Sequence, residues 1–202
     1  MSQALFSALN AIGGIVVFFM VLRLVLQAVR ANYYNPICQG INRFTAPILA
    51  PTSRLLPDIG PVSLNVLVIT LILQAVIAYG LALAFYGAAL NPALVIAWSA
   101  LSVFGMVLKI FFFALIIMII LSWVAPGARH PGAELVWQIT EPVMAPVRRI
   151  MPELGGLDLS PIALFILIQF VENGLVRPAA AALRMPAQLF LAYDRYPARP
   201  HL

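Results

Sequence analysis

The sequence predicts an all-α membrane protein in which four transmembrane helices form two parallel helix–connector–helix repeats with short interfacial amphipathic helices. Three observations support this prediction. Of the 202 residues, 63% are hydrophobic and only 9% are charged, whereas ordinary soluble domains have a charged share nearer a quarter. The chain contains four long apolar runs, and its two halves repeat each other. The composition excludes a soluble domain, a disordered chain and nucleic-acid binding by the whole chain.

The four apolar runs are the predicted spans, at about residues 5–29, 62–86, 98–123 and 159–176. At about 1.5 Å per residue, each run can cross about 30 Å of hydrocarbon, the last only just. No basic segment precedes the first run, and the run is too long for the apolar part of a signal peptide. We therefore interpret it as a spanning helix.

The two halves of the chain repeat each other at one gapless offset of 95 residues. The identical pairs at this offset include ten in the connectors and the spans that follow them: Pro36 and Pro131, Thr45 and Thr140, Pro47 and Pro142, Ala50 and Ala145, Pro51 and Pro146, Arg54 and Arg149, Pro57 and Pro152, Gly60 and Gly155, Leu64 and Leu159, and Gln74 and Gln169. We predict a first repeat at residues 1–92, a second at 93–178 and an interfacial C-terminal tail at 179–202. Because each repeat holds two spans, both connectors lie on one membrane face and both termini on the other.

The connector of the second repeat has the sequence of a short amphipathic helix that starts at Thr140. Thr140 is the expected N-cap, Glu141 favours the positive end of the helix dipole, and Arg148 and Arg149 favour the negative end. Arg54 is the equivalent of Arg149 in the first connector. Such a helix lies in the interface plane with its arginines at anionic head groups. It is either a linker that holds the geometry of the hairpin or a docking surface for a partner.

The fourth span is predicted to start with Ser160 as its N-cap and Pro161 at the first helical position. Asn65 is the equivalent of Ser160 and is expected to cap the second span. Asp158 is expected to accept hydrogen bonds from the same exposed amides or to pair with Arg149. This structural interpretation is favoured over a catalytic one.

The second repeat contains the run ITEPVMAPVRRIMPELGGLDLSPIALFILIQF, which resembles the signature of the YggT (YlmG) family of small bacterial and plastid membrane proteins. The first repeat contains FTAPILAPTSRLLPDIGPVSLNVLVITLILQ, which resembles a degenerate copy that departs from the signature at Ser63 and Asn65. The resemblance implies an integral protein of the bacterial inner membrane with two tandem YGGT repeats. It associates the chain with cofactor assembly on a plastid cytochrome, with division or nucleoid organisation, and with ion uptake under osmotic stress.

Five polar side chains within the predicted spans are candidate functional residues: Arg23, Gln74, Lys109, Gln169 and Glu172. Arg23 lies near the end of the first span, so we expect its side chain to reach the head groups. Lys109 and Glu172 lie at the same depth, about 20 Å from the connector side at the rise of an α-helix, and we predict an ion pair between them. The alternative is that they line a polar path. Gln74 and Gln169 are expected to bridge helices by hydrogen bonds.

Neither a metal site nor a cofactor is predicted. The chain has one cysteine, Cys38, and its two histidines, His130 and His201, lie outside the spans. These positions exclude a thiolate cluster and a bis-histidine haem within the bundle. The sequence contains no phosphate-binding loop and no nucleophile motif, so we do not expect an enzyme.

The arginines predict the orientation of the chain. The connectors carry six arginines, whereas the N-terminus and the central turn carry none. By the positive-inside rule, we predict cytoplasmic connectors and periplasmic termini. Four arginines after the fourth span favour the opposite orientation, but the first hairpin usually dominates.

Two functions are compatible with these features. The first is a non-enzymatic multi-pass scaffold, or an assembly or accessory factor, whose Pro- and Arg-rich connectors dock or organise a membrane complex. The alternative is an oligomeric channel or transporter component for ion or osmotic homeostasis that uses the polar mid-span residues; it needs an oligomer because four spans are too few to enclose a path. The expected partners are anionic lipid head groups and a membrane protein or further copies of the chain, with no nucleic acid.

Overall fold

A computed structural model describes residues 3–52, 58–86, 91–125, 127, 130–150 and 158–185. The protein is helical, as predicted. Seven α-helices follow one another in the described residues: α1 (Gln3–Ala28), α2 (Pro36–Leu49), α3 (Leu64–Tyr86), α4 (Pro92–Val124), α5 (Pro131–Ile150), α6 (Ser160–Val171) and α7 (Arg177–Ala182).

Short segments continue or join these helices. A 3-10 turn at Ala50–Thr52 follows α2, and a π-helical segment at Glu172–Val176 joins α6 to α7. Before α3, strands β1 (Asp58–Ile59) and β2 (Val62–Ser63) pair antiparallel. The turn between them contains Gly60 at a φ of 61°, a conformation that favours glycine.

Four segments are long and apolar enough to cross a membrane, which confirms the four predicted spans: Ala4–Ala28, Leu64–Leu83, Pro92–Val124 and Ser160–Ala182. The third begins at residue 92 rather than 98, because Asn91 caps α4. The Asn91 Oδ1 accepts a hydrogen bond from the amide of Ala93 at 3.0 Å, and Pro92 occupies the first turn. The fourth ends at residue 182 rather than 176, so the first residues of the predicted tail are helical; residues 186–202 of that tail lie outside the described residues.

The outer surface of the spans is apolar. Ile12, Ile96 and Phe170 are 60%, 66% and 73% exposed, and no more than 39% of the most apolar stretch of any span is buried inside the protein. Exposed apolar surface of this extent is unstable in water. These faces therefore contact lipid.

Helices α2 and α5 are the amphipathic helices of the two connectors, and they begin at equivalent residues, Pro36 and Pro131. The residue before each proline is the cap. The Asn35 Oδ1 accepts a hydrogen bond from the amide two residues later at 2.9 Å, and the His130 Nδ1 does the same at 3.1 Å. The same local signal therefore starts both helices, with a different capping side chain in each.

The predicted helix start at Thr140 was wrong, because α5 begins nine residues earlier. The Thr140 hydroxyl donates to the carbonyl oxygen of Val136 at 2.9 Å, within the helix. Pro142 and Pro146 lie inside α5, as Pro47 lies inside α2. Because proline is usually found in the first turn of a helix, these internal prolines obscure the start of α5 in the sequence.

The two repeats have cores of the same construction. One cluster joins α1, α2 and α3 in the first repeat, and another joins α4, α5 and α6 in the second. Met20 and Leu49 of the first correspond to Leu115 and Met144 of the second. A third cluster joins the repeats by packing α1, α2, α4 and α5 together. The first span of each repeat therefore lies at the junction between the two.

Helix α1 packs closely against α3 at Gly13. A Cβ atom at this position would lie 3.1 Å from both Cδ1 and Cγ2 of Ile77, closer than the optimal separation of about 3.5–4.0 Å between carbon atoms. The equivalents of Gly13 and Ile77 in the second repeat are Leu108 and Glu172. The absence of a side chain at Gly13 therefore permits a closer approach in the first repeat.

We predict that Gly13→Val lowers the free energy of unfolding by about 1–3 kcal/mol, because the added side chain overpacks the contact between α1 and α3. Gly80→Val is the matched control, since a Cβ atom at Gly80 of α3 meets no atom within 4 Å. Thermal unfolding of both variants in one detergent, followed by circular dichroism, measures the difference. Equal losses from the two substitutions would contradict close packing at Gly13.

Candidate functional site

The connector face consists of α2, α5 and the described residues that flank these two helices. Equivalent residues of the two helices are buried against the bundle: Cys38, Thr45 and Leu49 in α2, and Ala133, Thr140 and Met144 in α5. The exposed side of each helix combines apolar side chains with arginines: Arg43 and Phe44 in α2, and Trp137, Arg149 and Ile150 in α5. Both helices thus present an amphipathic surface to the outside.

Arg23 attaches α2 to the first span. Its Nη1 donates a hydrogen bond to Thr45 Oγ1 at 2.7 Å and another to the carbonyl oxygen of Asn42 at 3.4 Å. The equivalent contact in the second repeat joins α5 to α4, where the Thr140 Oγ1 lies 3.4 Å from the Met118 Sδ. The role of Arg23 at the head groups stays a prediction, and the structure adds this contact with the connector helix.

Hydrogen bonds between the repeats hold the two connectors together. Gln138 Oε1 accepts from the backbone amide of Asn32 at 2.8 Å, and Glu134 Oε1 accepts from Asn32 Nδ2 at 3.3 Å. Asn35 Nδ2 donates to the carbonyl oxygen of Pro131 at 2.8 Å. Sequence reasoning missed these side chains. The Asn-Pro dipeptide is an N-cap signal that identifies Asn35, but no pattern in the sequence pairs Asn32 with Gln138.

Arg148 lies between two carboxylates. Its Nη1 is 3.3 Å from Glu141 Oε1, and its Nε is 3.2 Å from Asp158 Oδ2. The other oxygen of Asp158 accepts a hydrogen bond from the amide of Ser160 at 2.9 Å. Partial burial raises the pKa of Asp158, but hydrogen bonds from Ser160 and Arg148 and the charge of Arg148 outweigh it and hold that pKa below its usual value. The charged carboxylate connects α5 to the start of α6.

Two assignments made from the sequence need correction at this point. Asp158 pairs with Arg148 rather than with Arg149, which is exposed. Ser160 is the first residue of α6 and not its N-cap. The side chain of Asp158, two residues earlier, accepts the hydrogen bond expected of a cap, and Pro161 lies in the first turn. An aspartate satisfies the exposed amide well because its charge also suits the helix dipole.

The first repeat differs at the same place. Helix α3 begins at Leu64, so Asn65 lies within the first turn and does not cap it. The Oδ1 of Asn65 is buried and has no hydrogen-bond partner among the described residues. Arg54, the other predicted residue of this connector, lies outside the described residues.

The ion pair between Lys109 and Glu172 stays a prediction. Val176, one turn after Glu172, packs against Leu108, the neighbour of Lys109 on α4. Lys109 also lines an apolar cavity of about 360 Å³, which α1 and α5 line as well.

The two predicted glutamines lie on different surfaces. Gln74 lies on α3 and is buried inside the protein, with only 1% of it exposed. Gln169 is exposed on α6, and its Oε1 accepts a hydrogen bond from Asn173 Nδ2 one turn later at 3.3 Å. Among the described residues, Gln169 therefore bonds within its own helical segment rather than to a neighbouring helix.

The described residues contain no group of three His, Cys, Asp or Glu side chains that could hold a metal ion. Cys38, the single cysteine, is 4% exposed in the core between the repeats. Burial raises the pKa of the Cys38 thiol, and the charge of Glu134 raises it further. The thiol is therefore protonated at neutral pH and shielded from reagents.

Known proteins resemble this chain over both repeats. The family model of CCB3/YggT matches residues 2–84 and again residues 97–179, and these segments begin 95 residues apart, as the internal identities do. An uncharacterised protein of Pseudomonas aeruginosa, PA0392, is 42% identical over 182 residues, which cover 90% of this chain and 92% of that protein. The uncharacterised protein YggT of Escherichia coli is 31% identical over 166 residues, which cover 82% of this chain and 86% of that protein.

A plant relative has a more informative name. The chloroplastic protein CCB3 of Arabidopsis thaliana, whose full name describes cofactor assembly of complex C, is 33% identical over 81 residues. The match covers 39% of this chain and 46% of that protein, about the length of one repeat. No solved structure gives a significant match.

We predict that Asp158→Ala lowers the free energy of unfolding by about 1 kcal/mol, because the amide of Ser160 loses its acceptor. Asp158→Asn is the matched control. Asparagine accepts the same hydrogen bond and loses only the exposed ion pair with Arg148, so we expect it to remain within about 0.5 kcal/mol of the natural protein. Equilibrium unfolding in detergent measures both.

The same variants test the charge of Asp158. Because its pKa is lower in the folded than in the unfolded protein, its stabilising effect is present above the unfolded pKa of about 4 and is lost as the pH falls through the folded pKa. Asp158→Asn is expected to remove this part of the acid sensitivity. An equally steep fall in the stability of Asp158→Asn between about pH 5 and pH 3 would contradict the assignment.

Proposed function

The chain belongs to the CCB3/YggT family, and from this premise we propose that it is a non-enzymatic, multi-pass membrane scaffold that docks or organises a membrane complex. The docking surface is the connector face. Its exposed side chains include aromatic residues and arginine, the types enriched where proteins bind each other. Phe44 is 47% exposed, Trp137 is 44% exposed and Arg149 is also exposed.

The double attachment of the connector helices is the observation that carries this proposal. Each helix is bound to its own repeat through Thr45 or Thr140, and the two connectors are bound to each other through Glu134 and Gln138. A linker that only holds a hairpin needs no hydrogen bonds to the other repeat. A surface held in place before binding loses less conformational entropy when a partner docks.

The plant relative supports the same class of role. Its name describes cofactor assembly of a complex, and its similarity to this chain extends over 81 residues. We extend the class of role, assembly of a membrane complex, to this chain. The particular complex of the plant protein is not part of the proposal.

The alternative of an oligomeric channel or transporter component has less support. Lys109 lines an apolar cavity, Gln74 is buried in α3 and Gln169 is exposed on α6. A polar path needs such side chains on one continuous surface. In the described spans these three lie on different surfaces.

We place the protein in the bacterial inner membrane with cytoplasmic connectors. The bacterial relatives are consistent with this location. The exposed arginines Arg30, Arg43 and Arg149 lie on the connector side, and the positive-inside rule orients such residues toward the cytoplasm.

We predict that tagged protein, isolated from native membranes in mild detergent, carries a foreign membrane protein in fixed stoichiometry. Arg149→Glu is expected to lower the recovery of that partner about fivefold, because it reverses a charge on the docking surface. Arg184→Glu is the matched control: Arg184 follows α7, near the Trp98 end of α4 and away from the connectors. Quantitative mass spectrometry and native mass determination measure both.

Two results would contradict the scaffold. One is recovery of a homo-oligomer alone, which would favour a channel component. The other is equal loss of the partner with Arg149→Glu and Arg184→Glu, because the connector face would then have no special part in binding.

For the orientation, we predict that Arg149→Cys in a Cys38→Ala background reacts with an impermeant maleimide only after the cells are permeabilised. Natural Cys38 is unsuitable for this test because it is buried and its thiol pKa is raised. Ala4→Cys, exposed at the start of α1, is the control and is expected to react in intact cells. The reverse pattern of labelling would place the connectors in the periplasm.

A further inference from the structure

A cavity of about 570 Å³ lies between the end of α1, the loop that follows it and α2. This volume is within the range of about 300–1,000 Å³ that is typical of ligand sites. Three arginines line the cavity, Arg23, Arg30 and Arg43, and none of its twelve lining residues is Asp or Glu. The cavity is therefore strongly positive.

Arg23 has hydrogen-bonding capacity that its protein contacts do not use. Its Nη1 donates to Thr45 and to the carbonyl oxygen of Asn42, but its Nε is buried and has no partner among the described residues. A guanidinium group carries five N–H donors, and a buried donor without an acceptor is unfavourable. An anion in the cavity would offer acceptors to the guanidinium group of Arg23, which lines it.

The second repeat shows that this fold does not require the three arginines. Uncharged residues stand at the equivalent positions: Met118, Ala125 and Gln138. Met118 contacts Thr140 as Arg23 contacts Thr45, so the attachment of the connector helix needs no charge. At two further positions where uncharged residues line the cavity in the first repeat, the second repeat has the carboxylates Glu134 and Glu141. The positive cavity is therefore specific to the first repeat.

One carboxylate acts on the cavity from outside. Glu134 of α5 raises the pKa of Cys38, a lining residue, and so lies within electrostatic reach. Its Oε1 already accepts hydrogen bonds from Asn32 and Gln138. A single negative charge that is bound elsewhere leaves the three arginines with an excess of positive charge.

We propose that this cavity binds the phosphate of an anionic phospholipid. The planar fork of arginine matches the geometry of a phosphate group and binds it through charge-assisted hydrogen bonds. Arg23 is five residues before the end of α1, about 7.5 Å along the helix axis, which is within reach of the head groups. Tyr33 and Tyr34 also line the cavity and are 66% and 82% exposed, as expected of aromatic side chains at a membrane interface.

This site goes beyond the scaffold function, because it needs no protein partner. It would hold one lipid against the first repeat and so fix the depth of α2 at the interface. Binding can be measured on the purified chain alone. A failure of the lipid site would therefore leave the test of the scaffold unaffected.

Native mass spectrometry of the delipidated, full-length protein in detergent, titrated separately with phosphatidylglycerol and with phosphatidylcholine, tests the proposal. We expect one molecule of phosphatidylglycerol to bind at concentrations at which phosphatidylcholine does not. Arg23→Met introduces the residue of the second repeat, and Arg43→Gln removes an exposed charge from the lining. Each is expected to weaken the binding of phosphatidylglycerol roughly tenfold.

Arg149→Gln is the matched control, because it removes an exposed positive charge from the same membrane face outside the cavity. Unchanged lipid affinity in this variant supports the site, and an equal tenfold loss would overturn it in favour of nonspecific attraction. Equal binding of the two lipids would also overturn it. If inorganic phosphate displaces phosphatidylglycerol at equal concentration, the ligand is free phosphate and the lipid assignment is wrong. Arg43→Gln keeps the test decisive if Arg23→Met does not fold.

Discussion

The attachment of an amphipathic helix to the first span of its own repeat is the contact on which the rest of the structure depends. A threonine makes it in both repeats: Thr45 is 2.7 Å from Arg23, and Thr140 is 3.4 Å from Met118. Each threonine hydroxyl donates to the carbonyl oxygen four residues earlier in its helix. A proline, which has no backbone N–H to donate, stands two residues after each threonine. With the helix held at this point, the orientation of its exposed arginines is determined.

The two repeats use this shared framework for different chemistry. In the first, the position of the attaching residue is occupied by Arg23, and two further arginines form a positive cavity with it. In the second, Met118 takes the attaching position, and the charges gather around Arg148 at the end of α5. The duplication produced two equivalent attachments of a connector helix to a span. Side-chain changes that leave these attachments intact gave each repeat a different surface. Hydrogen bonds that Glu134 and Gln138 accept from Asn32 then join these surfaces into one connector face.

The errors made from the sequence have physical causes at particular residues. Depth along a helix can be counted from the sequence, but the direction of a side chain around the helix depends on packing against the neighbouring helices, so the exposed position of Gln169 on α6 could not be predicted. Cap residues are similarly ambiguous, because Asp158 and Ser160 are both good caps and only the backbone geometry selects between them. The contact of Asn32 with Gln138 joins residues that are 106 positions apart, and no local pattern predicts it.

The sequence by itself determined the membrane location, the four spans, the two repeats and the presence of an amphipathic helix in each connector. These features follow from hydrophobicity and periodicity, which act along the chain and need no knowledge of neighbours in space. Only the tertiary structure decided which polar side chains meet: Arg23 with Thr45, Asp158 with Arg148 rather than with Arg149, and Gln138 with the backbone amide of Asn32. The physical reason is that the rotation of one helix against another is set by the packing of both surfaces together, which neither helix determines alone.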